Sequence, residues 1–300
     1  MGAQQRVFRR RIRSVSATKK ITKAMELIAS SRIVKAQQRL DAALPYLKQL
    51  LAAISAAATG ASDVAKHPLM ANPENRTKAA VLVVTADRGL AGAYSANTLR
   101  EAEALYTNLR ENGVTSIPFV VGRKGVSYYR FRERAMGGEY TGFTDQPTYA
   151  DAKRIGEDLL NAFLTPVEEG GVDEIHIVYT HFINMGTQDV RILRVLPLEV
   201  VDEVIEKDSA LPFPLYEFEP DAETVLDGLL PQYIQHSVYT ALLLAAASEH
   251  AARRRAMKSA TDNAEELIRT LTRQANQARQ AEITQEISEI VGGADALASS

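Results

Sequence analysis

The chain has 300 residues, of which 24% are charged and 46% hydrophobic, with a formal net charge of −2. That composition is ordinary for a globular protein and leaves room for one large domain or two small ones. It contains no cysteine, which excludes disulfides and cysteine-based metal, nucleophilic and redox chemistry.

The net charge conceals an asymmetry. Residues 1–40 carry eleven Lys or Arg and a single acid, Glu26, so this segment is about +10 and the remainder about −12. The basic start lacks the apolar core of a secretory signal, and no run of about 18 apolar residues could span a bilayer. The expectation is a cytoplasmic location.

The first predicted element is a long helix from about Val7 to Ile54. Its apolar seam reads Ile21, Met25, Ile28, Arg32, Ala36, Leu40, Leu44, Leu47, Leu51 and Ile54. Pro45 predicts a kink, or a break with a restart. Residues 58–79 are polar, are interrupted by Pro68 and Pro73, and read as a linker.

The period then changes. Ala80–Thr85 is a continuous apolar run, expected as a buried strand. A turn with Gly89 and Gly92 leads to a helix over 95–111, capped by Ser95 and closed by Gly113. Strands are expected at 117–121, 174–180 and 190–196, the last at an edge or half exposed. A short helix is expected at 124–136, and another from Thr148 as its cap to about Phe163. Strands alternating with helices imply a mostly parallel, doubly wound sheet. An acidic, proline-containing stretch over 199–225 follows.

The last element is the longest. From Pro231 to Val291 no glycine intervenes; Pro231 suits a first turn and Gly292-Gly293 a stop. Such a helix would be roughly 90 Å long. Its seam is Ile234, Val238, Ala241, Ala245, Ser248, Ala252, Ala256, Ala260, Ala264, Leu267, Leu271, Ala275 and Ala278. The alanine-rich centre invites close approach of another long helix, and the N-terminal helix is the available partner. The mean step of both seams is about 3.67, which favours a nearly straight or slightly right-handed pair.

Motifs for chemistry are missing. The turn Thr85–Gly92 sits where a phosphate loop would, but it lacks the dinucleotide fingerprint, and no P-loop sequence occurs. Gly122-Arg123-Lys124-Gly125 fails as well. His176 and His181 are five apart on a strand and face opposite sides. No catalytic residue, cofactor-binding residue or metal ligand is expected, and no cofactor. The basic first helix fits an acidic protein partner better than nucleic acid, because aromatics are not interleaved with the charges.

Several stretches resemble the gamma subunit family of F-type ATP synthases. They are Arg11–Val15, Lys20–Glu26, Asp87–Gly92, Ser248–Arg253, Ala256–Ala264, Ala278–Ala281, Ile283–Ile287 and Glu289–Ala294. The resemblance covers effectively the whole chain. It implies an α/β fold class: a long antiparallel coiled coil of the N- and C-terminal helices with an inserted Rossmann-like α/β domain. The corresponding division is 1–57, a linker at 58–79, 80–210 and 211–300.

The resemblance also implies a non-catalytic central rotor shaft that transmits torque between a proton-driven c-ring and an alpha/beta hexamer. The partners would be the alpha, beta and epsilon subunits and the c-ring, with no nucleic acid and no direct membrane insertion. The location would be peripheral, on the cytoplasmic face of the cell membrane. Lys23 and Met25 match the position near the moving beta-subunit segment, and Arg279, Gln280, Thr284 and Glu286 match the upper contact region with the hexamer. Arg254-Arg255, Ala275, Gln277 and Glu282 depart from the family pattern. The family coiled coil is left-handed, against the period estimated above. The alternative, a basic coiled-coil nucleic-acid binder, predicts affinity that falls steeply with salt.

Overall fold

The computed structural model describes residues 3–60, 76–198, 217–219 and 221–298. In chain order the elements are α1 (Ala3–Gly60), β1 (Lys78–Val84), α2 (Tyr94–Glu111), β2 (Thr115–Val121), α3 (Arg123–Phe131), β3 (Gly138–Tyr140), α4 (Tyr149–Leu164), β4 (Glu174–Phe182), β5 (Gln188–Leu196) and α5 (Ala222–Ala298). The middle of the expected linker, 61–75, and most of the expected acidic segment, 199–216 and 220, lie outside the described residues. The chain divides into two compact units, Met1–Ala29 with Arg253–Ser300, and Ser30–Ala252.

The second unit is built on a five-stranded sheet of order β3-β2-β1-β4-β5. The first four strands are parallel, and β5 returns antiparallel along the edge. β1 is buried on both faces, which is why it reads as a continuous apolar run. Successive side chains alternate. Ala80, Leu82 and Val84 join one core with α4 (Ala152, Ile155, Leu159), the Ile33–Ala57 stretch of α1 and the Leu226–Ala251 stretch of α5. Ala79, Val81 and Val83 join the other core with α2 (Leu99, Ala102, Tyr106) and α3 (Val126, Tyr129).

Local chemistry sets the ends of these elements. Thr148 caps α4 through a reciprocal capping box with Asp151, as the sequence leads one to expect. Gly113 (φ 79°) closes α2, with Gly113 N–H donating to Arg110 O and Val114 N–H to Leu109 O, a Schellman arrangement. The same closure ends α3 five residues earlier than expected. There Glu133 (φ 53°) takes the left-handed position usually given to glycine, so the sequence carries no stop signal. Ser95 does not cap α2. The cap position is Ala93, and Ser95 Oγ instead accepts from the Ala86 N–H. β3 has only three residues, too few for a periodic signal.

α5 begins nine residues before Pro231 and continues through Gly292-Gly293. The start is set by Asp221, whose carboxylate accepts from Thr224 N–H at 2.8 Å and from Thr224 Oγ1 at 3.0 Å. A proline inside a helix costs about 3 kcal/mol. Fully burying Leu226 and Leu230 in the added turns returns about 2 kcal/mol each. α1 likewise continues through Pro45 to Gly60, so the helix does not break and restart there. Residues 241–250 of α5 are all buried, as a helix apolar all round must be.

In the first unit, α1 and α5 pair antiparallel. Thr22 meets Thr261 and Lys19 meets Glu265, so as α1 runs backward α5 runs forward. The observed faces correct the predicted seam. Ile21, Ile28 and Leu51 of α1 are exposed, as is Leu267 of α5. The inward positions of α1 in this unit are Gln5, Phe8, Ile12, Val15, Lys19, Thr22, Glu26 and Ala29. Those of α5 are Met257, Thr261, Ala264, Ile268, Leu271, Ala275, Ala278 and Glu282. Both of these lines step by three and four, a period of about 3.5, which winds helix pairs left-handed.

Candidate partner-contact surface

A doubly wound sheet offers a ligand crevice at the carboxyl ends of its strands, and here that crevice is closed by the chain itself. The Asp87 carboxylate accepts the backbone N–H groups of Arg123 (3.1 Å), Gly142 (2.8 Å) and Thr144 (3.1 Å), and its own N–H donates to Thr144 Oγ1. Burial alone would raise the Asp87 carboxyl, but bonds from Thr144, Arg123 and Gly142 hold it below its ordinary value. The first amides of α3 are all used internally, by Asp87, Ala86 O, Thr85 Oγ1 and Gly122 O. An anion would find no free donor there.

Gly122 and Gly125 serve this closure and not a phosphate. A Cβ on Gly122 (φ 93°) would lie 2.4 Å from Thr85 O, and one on Gly125 would lie 2.7 Å from Val120 Cγ1. On the other side, Ser248 Oγ donates to Thr180 O at 3.0 Å, and His250 Nε2 donates to Asp145 O at 3.0 Å. Asp145 also pairs with Arg32 of α1. His176, expected on the opposite face from His181, is buried. Its Nε2 lies 2.6 Å from Glu174, which also pairs with Arg76. Burial opposes ionisation of Glu174, yet His176 and Arg76 bring its carboxyl down to about 2. Among the described residues, no group of three or more His, Asp or Glu is placed to hold a metal. Nor is any described helix long and apolar enough to cross a membrane.

The contact residues expected from the sequence all lie in the first unit. Lys23 is exposed and pairs with Glu26 at 3.1 Å, while Met25 is half-buried beside it. Arg279, Gln280, Thr284 and Glu286 are all exposed on α5, and Thr284 Oγ1 donates to Gln280 O. The structure thus brings the four α5 residues together on one stretch, and Lys23 and Met25 together on another. The hydrogen bond and charge of Lys19, followed by the charge of Arg269, hold the Glu265 carboxyl below its ordinary value.

Extending the observed pairing puts Ala3, the first described residue of α1, opposite about residue 281. The described part of α5 beyond that point therefore lies beyond the described part of α1. There Ile283, Ile287, Ile290 and Val291 are exposed, Ile290 by 71%. Their i, i+4, i+7, i+8 spacing lines one helix face. The sequence reading did not select these residues as contacts; this spacing was the signal available.

A family model described as ATP synthase matches residues 4–297. The ATP synthase gamma chain of Acidothermus cellulolyticus is 60% identical over 99% of this chain and 98% of its own. The chain belongs to the ATP synthase gamma chain family. The gamma chain of Thermobifida fusca is 58% identical, over 99% and 98% respectively. Among solved structures, a chain of the Euglena gracilis mitochondrial ATP synthase OSCP/F1/c-ring assembly aligns over 99% of this chain and 95% of its own. Its TM-score is 0.66 at 18% identity. A chain of the Euglena rotor aligns over 94% and 100%, with a TM-score of 0.64 at 16% identity, so the gamma chain fold is shared. These matches lend nothing to the nucleic-acid reading.

Proposed function

We propose that this gamma chain is the non-catalytic central shaft of a rotary ATP synthase. In this reading it transmits torque between a proton-driven c-ring and an alpha/beta hexamer. Residues 1–57 and 211–300 supply the shaft helices, and 80–210 the α/β domain that meets the epsilon subunit and the c-ring. The complex is membrane-associated, and the chain sits peripherally on the cytoplasmic face.

The observation that carries the reading is the end of α5. A helix that carries Ile283, Ile287, Ile290 and Val291 exposed on one face, beyond the described part of α1, needs an apolar socket in another protein. Arg279, Gln280, Thr284 and Glu286 lie alongside that stripe as polar contacts to the hexamer. Lys23 and Met25 face the moving segment of beta. The closed crevice of the α/β domain supports a mechanical rather than a nucleotide-binding role.

The test is purification of a tagged chain from its native membranes with mass identification of what accompanies it. Recovery of alpha, beta and epsilon subunits with ATPase activity is the expected result. Recovery of the chain alone, or with nucleic acid, overturns the proposal. Attachment should weaken as salt is raised, because the basic α1 surface meets acid on beta.

A further inference from the structure

Two of the polar contacts in the seam of the first unit lie three residues apart on α1. Thr22 Oγ1 lies 2.7 Å from Thr261 Oγ1, with both threonines buried. Lys19 Nζ lies 3.1 Å from Glu265 Oε2 at the seam's margin. Each hydroxyl also reaches back along its own helix, Thr22 to Lys19 O at 3.1 Å and Thr261 to Met257 O at 2.8 Å. Two hydroxyl protons thus serve three bonds, so at any moment one of them is shared or one bond is given up.

Resting on the shaft reading, we propose that Thr22–Thr261 and Lys19–Glu265 form a register lock that fixes the axial alignment of α1 against α5. The apolar inward positions do not discriminate well. Val15, Ala29, Met257, Ala264, Ile268, Leu271 and Ala275 are apolar or small from heptad to heptad, so a slip of seven residues replaces one such contact by another. A buried polar pair in an apolar seam is the established means of selecting one register.

The sequence opposes both slips. Sliding α5 one heptad one way sets Lys19 against Lys258 and Thr22 against Arg254, bringing cation to cation. Sliding it the other way sets Lys19 against Thr272 and the Thr22 hydroxyl against Ile268, so both interhelical bonds are lost. Either slip moves the helices by about 10 Å. That is enough to misplace Lys23 and Met25 on α1 relative to Arg279, Gln280 and Thr284 on α5. A shaft that touches one hexamer with both helices cannot absorb such an error.

The absence of cysteine provides the assay. Val15→Cys with Ile268→Cys reports the native register, and Val15→Cys with Ala275→Cys reports the slipped one. Both pairs are placed in the full chain within the membrane-bound complex and oxidised. With Lys19 and Thr22 intact, only the native pair should cross-link. In a Lys19→Ala, Thr22→Val background the slipped pair should appear, and proton-driven ATP synthesis should fall severalfold. Thr22→Ser, which keeps the hydroxyl, should restore the native pattern when Lys19 is also present. Native cross-linking alone in the double variant overturns the lock. So does loss of the native product without the slipped one, which means simple destabilisation. If the unsubstituted chain does not assemble with a hexamer at all, the shaft reading fails instead, separately from the lock.

Discussion

The two units spend the same helices differently. In the second unit, α5 is buried on every side over 241–250, and the central strand β1 has essentially no exposure from Ala79 to Val84. In the first unit, α5 presents one narrow face to α1, and past Glu282 every residue to Val291 is exposed. The second unit's interior is set by its own packing, while in the proposed shaft the first unit's outer surface answers to the hexamer. Substitutions should therefore separate stability from attachment according to the unit they fall in.

The largest expected effect is in the sheet. Leu82→Ala at the centre of β1 removes a fully buried side chain and should cost about 2–5 kcal/mol, read as a lower urea midpoint at unchanged slope. Less than 1 kcal/mol would show that the two-faced core described here is not what holds the second unit.

Next comes the anchor of the closed crevice. Asp87→Ala leaves the amides of Arg123, Gly142 and Thr144 without their acceptor and should cost about 2–3 kcal/mol. The folded carboxyl is depressed below its unfolded value, so its contribution is complete above the unfolded value and disappears as pH falls through the folded one. Glu174 behaves with the same sign. Its contribution should decline between about pH 4.5 and about pH 2, and Glu174→Gln should flatten that part of an acid-unfolding curve. An unchanged acid limb in the variant would remove the Arg76–Glu174–His176 cluster from the account.

The contrast between the units also explains what the sequence revealed. Both long helices, the mostly parallel sheet, the edge strand at 190–196 and the Thr148 cap were legible because periodicity and capping are local. Three features were not. The α3 stop hid behind Glu133 in a position glycine normally marks. The start of α5 hid behind Pro231, because only tertiary burial of Leu226 and Leu230 outweighs an internal proline. The α1 seam was misread because Ile21 and Ile28 are large, apolar and exposed, while the buried positions beside them are Thr22 and Ala29. Where the surface serves a partner, apolar size no longer indicates which way a side chain faces. The proposed contact residues on α5 came from resemblance, and the apolar stripe beside them was marked in the sequence only by its i, i+4, i+7, i+8 spacing.

The smallest expected effect on stability is at that stripe, and it is where the two units differ most. Ile287 is 56% exposed, on the part of α5 beyond the described part of α1. Ile287→Ser removes little that the chain itself has buried, so its unfolding free energy should stay within about 0.5 kcal/mol of the parent. The loss should appear in the complex, as faster release of the chain from the hexamer and lower coupled synthesis. Leu271→Ser supplies the contrast, because Leu271 is buried in the α1–α5 seam and should destabilise the chain before any partner is present. If Ile287→Ser unfolds the isolated chain as readily as Leu271→Ser does, the stripe is internal packing and the socket has no basis. If Ile287→Ser changes neither stability nor release, the exposed isoleucines are not where the hexamer holds the shaft.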